Sequence, residues 1–282
     1  MNTSDHNGHI TVIGVPTDVN SSFLPGAALA PNHIREALRS PSTNLWTENE
    51  IDLGAHPGWK DRGDLDLDDA ATGESIERVV SGLIGTGDRV VALGGDHAIT
   101  YPIVRATARR HESLTILHLD AHADLYDEFE GNRESNACPF ARIMEDGLAG
   151  RVVQIGIRTL NSHQRRQADR FGVEVHGARR LPSIAGLGLE PPLYLSLDLD
   201  VLDPACAPGV AHPEPGGLTT REVISIIQDL PCPLVGADIV ELNPHRDLNE
   251  LTARVAAKLL KEILANMIEL HSTKTNRPRR QP

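Results

Sequence analysis

Short apolar runs recur along this chain, each closing on a polar turn and followed by a stretch of helical spacing. Residues 9–15 (HITVIGV), 89–93, 117–120, 151–157, 193–198 and 234–242 read as buried strands. Weaker runs near 51–53 and 173–175 predict two short strands. Helical patterns occupy 31–39, 74–84, 100–111, 138–147, 162–171, 219–229 and 248–270. Pro31 suits a first helical turn, and Thr219 or Thr220 suits a cap. The Pro-, Gly- and Asp-rich segment 40–72 carries Trp46 and Trp59, read here as packing anchors. This alternation predicts one three-layer α/β/α domain over residues 1–270 with a mainly parallel sheet. Residues 271–282 form a short basic tail expected to be disordered.

Three of the strands end in metal-type ligands. LHLDAHADLYD (117–127) brings Asp120, His122 and Asp124 within five residues. Carboxylates that close repel each other and resist ionisation, and a divalent cation removes that cost. Taken alone, the stretch also fits a solvated acidic turn. VVALGGDHAIT (90–100) ends in Gly94, Gly95, Asp96 and His97, and LYLSLDLDVLDP (193–204) in Asp198, Asp200 and Asp203. The glycines allow a sharp turn toward His97, and Asp96 is a candidate to orient it or a neighbour. Strand carboxyl ends share one edge of a parallel sheet, where such folds bind ligands. His97, Asp120, His122, Asp124, Asp198 and Asp200 could converge there. Four carboxylates and two imidazoles suit two ions with bridging carboxylates, about 3.5–4 Å apart. Oxygen-rich ligation without thiolate favours Mn2+, with Ni2+ admitted by the imidazoles.

Composition narrows the picture. A formal net charge of -12 argues against nucleic acid or a membrane surface as partner. Three cysteines without CxxC spacing predict a reduced protein with no disulfide framework. No apolar run approaches a membrane span, and the start MNTSDHNGH has no apolar signal core, so a cytoplasmic location is expected.

GGDH, DAHAD and SLDLDVLDP, in this order, resemble the motifs of the ureohydrolases, the family of arginases and agmatinases. APGVAHPEPGGLT, ADIVELNPHRD and the early VPTDVNSSFLPGAALAPNHIREAL strengthen the resemblance, which covers nearly the whole chain and is closest to the plant-type arginase branch. It implies a sheet of about eight strands and a homo-oligomer, trimer or hexamer. It implies hydrolysis of a guanidino compound to urea and an amine at two metal ions. In that scheme Asp120 and Asp198 bridge, His97 completes one ion's shell, and His122 and Asp200 complete the other's. Asp124 takes a hydrogen bond from the attacking oxygen, and Glu241 in ELNP clamps the planar guanidinium.

The departures from the family pattern bear on substrate. Where a proton-carrying histidine is expected, this chain reads Ser135, Asn136, Ala137, and an amide cannot exchange a proton near neutral pH. Catalysis without that shuttle, a replacement group, an altered substrate, an impaired copy and a deliberate substitution all remain open. His212 is either the replacement, facing the substrate, or a loop-stabilising residue. Thr159, Leu160 and Asn161 stand where animal arginases place carboxylates for the substrate's amino group, leaving Asn161 as a candidate substrate contact. Three functions follow: a ureohydrolase for arginine, agmatine or a related guanidine; one for a small non-amino-acid guanidine or a biguanide; or a weakly active subunit supporting an active paralogue. A one-zinc deacetylase does not fit six ligands. The 3% aromatic content makes an aromatic cage improbable, while single contacts from Tyr126, Phe129 or Phe140 stay open.

Overall fold

The apolar runs of the sequence become strands because each is covered on both faces by helices. A computed structural model describes residues 8–68 and 72–275. Among them are eight strands: β1 (Ile10–Gly14), β2 (Trp59–Asp64), β3 (Arg89–Leu93), β4 (Thr115–Leu119), β5 (Arg151–Ile157), β6 (Glu174–Gly177), β7 (Leu193–Asp198) and β8 (Leu234–Val240). Seven α-helices accompany them: α1 (Ala30–Leu38), α2 (Thr72–Gly85), α3 (Thr100–Ala108), α4 (Pro139–Glu145), α5 (Ser162–Phe171), α6 (Thr220–Gln228) and α7 (Leu251–Thr275). The strands form one parallel sheet in the order β2-β1-β3-β8-β7-β4-β5-β6.

One core lies between the sheet and α1, α6 and α7, the other between the sheet and α2 to α5. Strands buried on both faces carry near-continuous apolar side chains, as in Leu193–Asp198. Thr219 caps α6 in a capping box with Glu222, as its sequence position implies. The last helix runs through Thr275; the rest of the expected tail, 276–282, lies outside the described residues. The three cysteines are free, and no helix among the described residues is long and apolar enough to cross a membrane.

Two expectations in segment 40–72 fail. Residues 51–53 form no strand, only an isolated bridge between Trp46 and Asp52. The strand of this segment is β2, whose WKDRGD sequence hides it. As an edge strand it pairs only with β1 and alternates half-buried and exposed positions, so charges are tolerated and protect the edge. Arg35 of α1 holds it, donating to Asp61 at 2.8 Å and pairing with Asp64. Trp59 packs on the core and donates from its indole to the Leu53 carbonyl at 2.7 Å. Trp46 is 50% exposed and lies outside the core.

β3, β8, β7 and β4 are neighbours at the centre of the sheet, where the strand order reverses. Their carboxyl ends open a crevice at that reversal.

Candidate metal centre and active site

All six expected ligands meet in that crevice. His97 follows β3, Asp120, His122 and Asp124 follow β4, and Asp198 and Asp200 end β7 or follow it. His97 Nδ1 lies 3.2 Å from Asp120 Oδ2, 3.0 Å from Asp124 Oδ2 and 3.1 Å from Asp198 Oδ2. His122 Nδ1 lies 3.5 Å from Asp120 Oδ1 and 2.8 Å from Asp200 Oδ2. Asp120 therefore turns one oxygen to each imidazole and joins two clusters into one.

The donor chemistry fits cations. Ser196 Oγ donates to Asp238 at 2.7 Å, so it accepts from His97 Nε2 at 3.0 Å. That tautomer aims the Nδ1 lone pair at three carboxylate oxygens, and Nδ1 makes no hydrogen bond to any of them. Burial and the charge of Asp120 push Asp124 up to about 7. Burial and like charges also raise Asp198 and Asp200. Burial opposes charge on His122, yet Asp200 and Asp120 drive it up to about 12. Three carboxylates likewise outweigh burial and raise His97 well above its usual value, so without a cation they favour a proton on the ring, which a metal ion at Nδ1 would displace. Buried oxygens and lone pairs facing one centre demand positive charge, which divalent cations supply.

His118 is a functional residue that the sequence reading passed over as a strand position. It lies within ligand reach of His97 and Asp120, but both ring nitrogens are occupied. Gln154 Nε2 donates to Nδ1 at 3.0 Å and to the Ala123 carbonyl at 2.7 Å. Nε2–H is left to donate to Asp120 Oδ2 at 2.7 Å. Burial pushes the ring down to about 4, so it stays neutral, and Phe140 stacks on it at 3.8 Å. Period-two alternation hides such a residue, because an inward polar position in a strand looks like any other. Phe140 thus serves His118 and not the substrate.

Glu241 stands one residue past β8 with φ 67°, and Asp124 has φ 49°. Left-handed backbone in non-glycine residues is held only where surroundings dictate it. Glu241 Oε1 accepts from the His97 backbone N–H at 2.8 Å and from Asn136 Nδ2 at 2.9 Å. Burial raises its pKa above the ordinary value. Asn136 Oδ1 in turn accepts from the Ser22 N–H at 3.0 Å, so the amide is fully integrated.

These groups line a cavity of about 230 Å3 together with Ser22, Tyr126, Phe129, Thr159, Gln164 and His212. His212 Nε2 is 3.3 Å from Ser22 Oγ, and its ring is 5.8 Å from that of His122. Asn161 does not line it. Its Oδ1 caps α5 by accepting from the Gln164 N–H at 2.9 Å, and its Nδ2 donates to Tyr126 Oη at 2.5 Å. Its helical neighbour Gln164 takes the wall instead.

Other expectations are met in part or corrected. Asp96 makes no hydrogen bond to the His97 ring but does orient its neighbours, as one of the two expected roles has it: it caps the turn starting at His97 by accepting from the Ala98 N–H, and by accepting from the Asn20 N–H it ties the loop after β1 to the site. Burial and Glu241 push it up to about 8. Gly94 and Gly95 serve close approach, not a special turn: a Cβ on Gly95 would meet the Thr17 carbonyl oxygen at 1.6 Å. Asp203 accepts from the Ala205, Gly216 and Gly217 N–H groups and shapes the following loop.

Fold and cluster together define an α/β/α protein with a buried carboxylate–imidazole site suited to metal cations. Residues 8–265 match the model of the arginase family. Arginase 1, mitochondrial, of Arabidopsis thaliana is 45% identical over 275 residues, 91% of this chain and 80% of that protein. The human guanidino acid hydrolase, mitochondrial, is 36% identical over 94% of this chain and 80% of its own. The solved arginase of Medicago truncatula superposes with a TM-score of 0.87 at 42% identity, covering 93% of this chain and 88% of that one. The chain belongs to the arginase family, and it is an enzyme of the ureohydrolase kind, a hydrolase of linear amidines.

Proposed function

We propose that this enzyme hydrolyses a guanidino compound at a binuclear metal centre, releasing urea and an amine. The observation that carries this is the shared carboxylate, Asp120, placed between His97 and His122. His97, Asp120, Asp124 and Asp198 would hold one ion, and His122, Asp120, Asp198 and Asp200 the other. Mn2+ suits this oxygen-rich set best, and Ni2+ is the alternative. Two such ions, when bound, lower the pKa of water and neutralise charge that develops during attack.

The protein's own groups do the positioning. Glu241 Oε2 takes no hydrogen bond among the described residues, so it is free to accept from a guanidinium N–H while Oε1 stays fixed. Asp124 accepts a proton from the attacking water. Water oxygen bonds to the guanidinium carbon, the proton held by Asp124 passes to the tail nitrogen and the carbon–nitrogen bond breaks; the tail leaves as an amine and takes the second water proton, from the hydroxyl on the carbon, to give urea and an ammonium. His212, at the cavity wall beside Ser22, is the group placed to pass a proton to the leaving nitrogen in place of Asn136.

The hydrogen bonds of Asn136 support an amide built into a working site, so we favour a competent enzyme over a subunit that only supports a paralogue. We further propose a homo-oligomer, trimer or hexamer, with neither nucleic acid nor membrane as partner, acting in the cytoplasm. The plant relatives, by contrast, are named for mitochondria and chloroplasts. Light scattering and cell fractionation test these points. The direct test of function is urea release after loading with Mn2+ or Ni2+, with arginine, agmatine, 4-guanidinobutyrate, guanidine and a biguanide. Release from any of these supports the proposal; a fully loaded, folded chain that releases urea from none overturns it.

A further inference from the structure

The turn that carries Asp200 has its carbonyl end held by a side chain with no part in the chemistry above, Arg158. Arg158 stands one residue past β5, half-buried, and its guanidinium donates to backbone carbonyls. Nη2 reaches the carbonyl oxygens of Asp200 at 2.7 Å, Glu214 at 2.6 Å and Leu202 at 3.3 Å. Nε also donates to Glu214, at 3.1 Å, and Nη1 to Val201 at 3.3 Å and Gly156 at 3.2 Å. Leu199–Val201 is a single 3-10 turn, and carbonyls at the end of so short a turn lack partners within it. A cation there supplies donors and suits the negative end of the turn's dipole. The fit is close: a Cβ on Gly217 would meet Arg158 Nη2 at 2.7 Å. The backbone of Arg158 reaches the other half of the same ion site. Its N–H donates to the Ala121 carbonyl at 2.9 Å, between Asp120 and His122. The Ala121 N–H in turn donates to Asp200 Oδ1 at 3.0 Å, which leaves Asp200 Oδ2 2.8 Å from His122 Nδ1. His97, by contrast, is held through Ser196 and Glu241.

Building on the binuclear reading above, we propose that Arg158 is a positioning residue for one of the two ions, the one held by His122 and Asp200. Its planar fork joins the Asp200 carbonyl to that of Glu214, so the turn bearing the ligand is tied to the loop that carries His212. An aspartate side chain is short, so the place of its carboxylate follows the place of its backbone. A turn freed from the fork moves Asp200 Oδ2 away from His122, and that ion loses a ligand. The ion at His97 depends on other anchors and keeps its own. Only a guanidinium serves here. A lysine ammonium offers its donors from one atom and cannot span carbonyls that lie apart.

The test titrates the full chain with Mn2+ against a competing chelator and follows the electron paramagnetic resonance spectrum, with folding checked by circular dichroism. The native chain should take two ions and show the spectrum of a coupled pair. Arg158→Gln and Arg158→Lys should each weaken one ion about 10- to 100-fold and leave the other within about twofold. At the Mn2+ concentration that fills the native pair, both variants should show the spectrum of an isolated ion. His122→Ala removes a ligand of the same ion, so adding Arg158→Gln to it should leave the affinity of the remaining ion unchanged. Equal weakening of both ions, or of neither, would overturn the role of Arg158 and leave the binuclear reading intact. Full rescue by lysine, or a further loss in the double variant, would overturn it too. Failure of both single variants to fold would make Arg158 a residue of the fold and end the proposal. A native chain that takes fewer than two ions would remove the binuclear reading itself, and this inference with it.

Discussion

Asn136 stands where the family resemblance leads to the expectation of a proton-carrying histidine, and its hydrogen bonds make it a positioning group. Its Nδ2 is one of two donors on Glu241 Oε1, and its Oδ1 is held by the Ser22 N–H. A hydrogen bond to a charged group contributes about 1.5–3 kcal/mol, so Asn136→Ala should lower kcat/KM for urea release about 10- to 100-fold. An unchanged kcat/KM would show that Glu241 needs no second donor. His118 acts at one remove, orienting Asp120 through a neutral ring whose tautomer Gln154 sets. Outer-shell partners of ligands are typically worth about 10- to 100-fold in metal affinity, so His118→Ala should weaken Mn2+ binding by that factor in a competition titration. An unaltered dissociation constant would make His118 a packing residue only. The six candidate ligands were legible because Asp and His beside apolar runs are costly unless used. Gln164 and His118 were not, because a lone amide or imidazole carries no such signal until its partners are in place.

At the scale of elements, Glu48 fastens its loop to two helices. It pairs with Arg221 of α6 at 2.7 Å and Lys258 of α7 at 3.2 Å, and Gln228 donates to it at 3.2 Å. These partners, Arg221 first, lower its pKa from 4.5 to about 2. A carboxylate with a depressed folded-state pKa contributes stability that is complete above its unfolded value and is lost as pH falls through the folded one. The Tm difference between the native chain and Glu48→Gln should therefore be full above about pH 4.5 and shrink toward pH 2. A difference that stays constant across that window would remove Glu48 from the linkage. The capping box of α6 gives a second check: Thr219→Ala should cost about 1 kcal/mol in denaturant unfolding. The strands β3 and β5 follow their apolar runs residue for residue, since burial on both faces dictates an unbroken pattern. β2 escaped notice because an edge strand needs no such pattern.

For the whole molecule, the centre of the sheet carries four buried aspartates that lack enough positive charge of their own. A ligand bound only by the folded state stabilises it by mass action. Purified protein loaded with Mn2+ should hold two ions per chain by elemental analysis, and a chelator should lower Tm measurably. One ion per chain, or a Tm indifferent to chelation, would count against the binuclear centre. The net charge of -12 includes this cluster, so loading should also reduce the anodic mobility of the native chain.

Sequence alone determined the three-layer class, the order of most strands and helices, and the identity of the candidate metal-binding residues that converge, because all three are written in local patterns of burial and charge. It could not determine that β3, β8, β7 and β4 stand side by side, since strand order is a long-range choice. Only that order brings His97 within 3.2 Å of Asp120, Asp124 and Asp198. Only the packing of α5 against the crevice decides that Gln164, and not Asn161, lines the cavity. The physical reason is range: periodicity reports whether a side chain is buried, while its partners depend on residues far away in the chain.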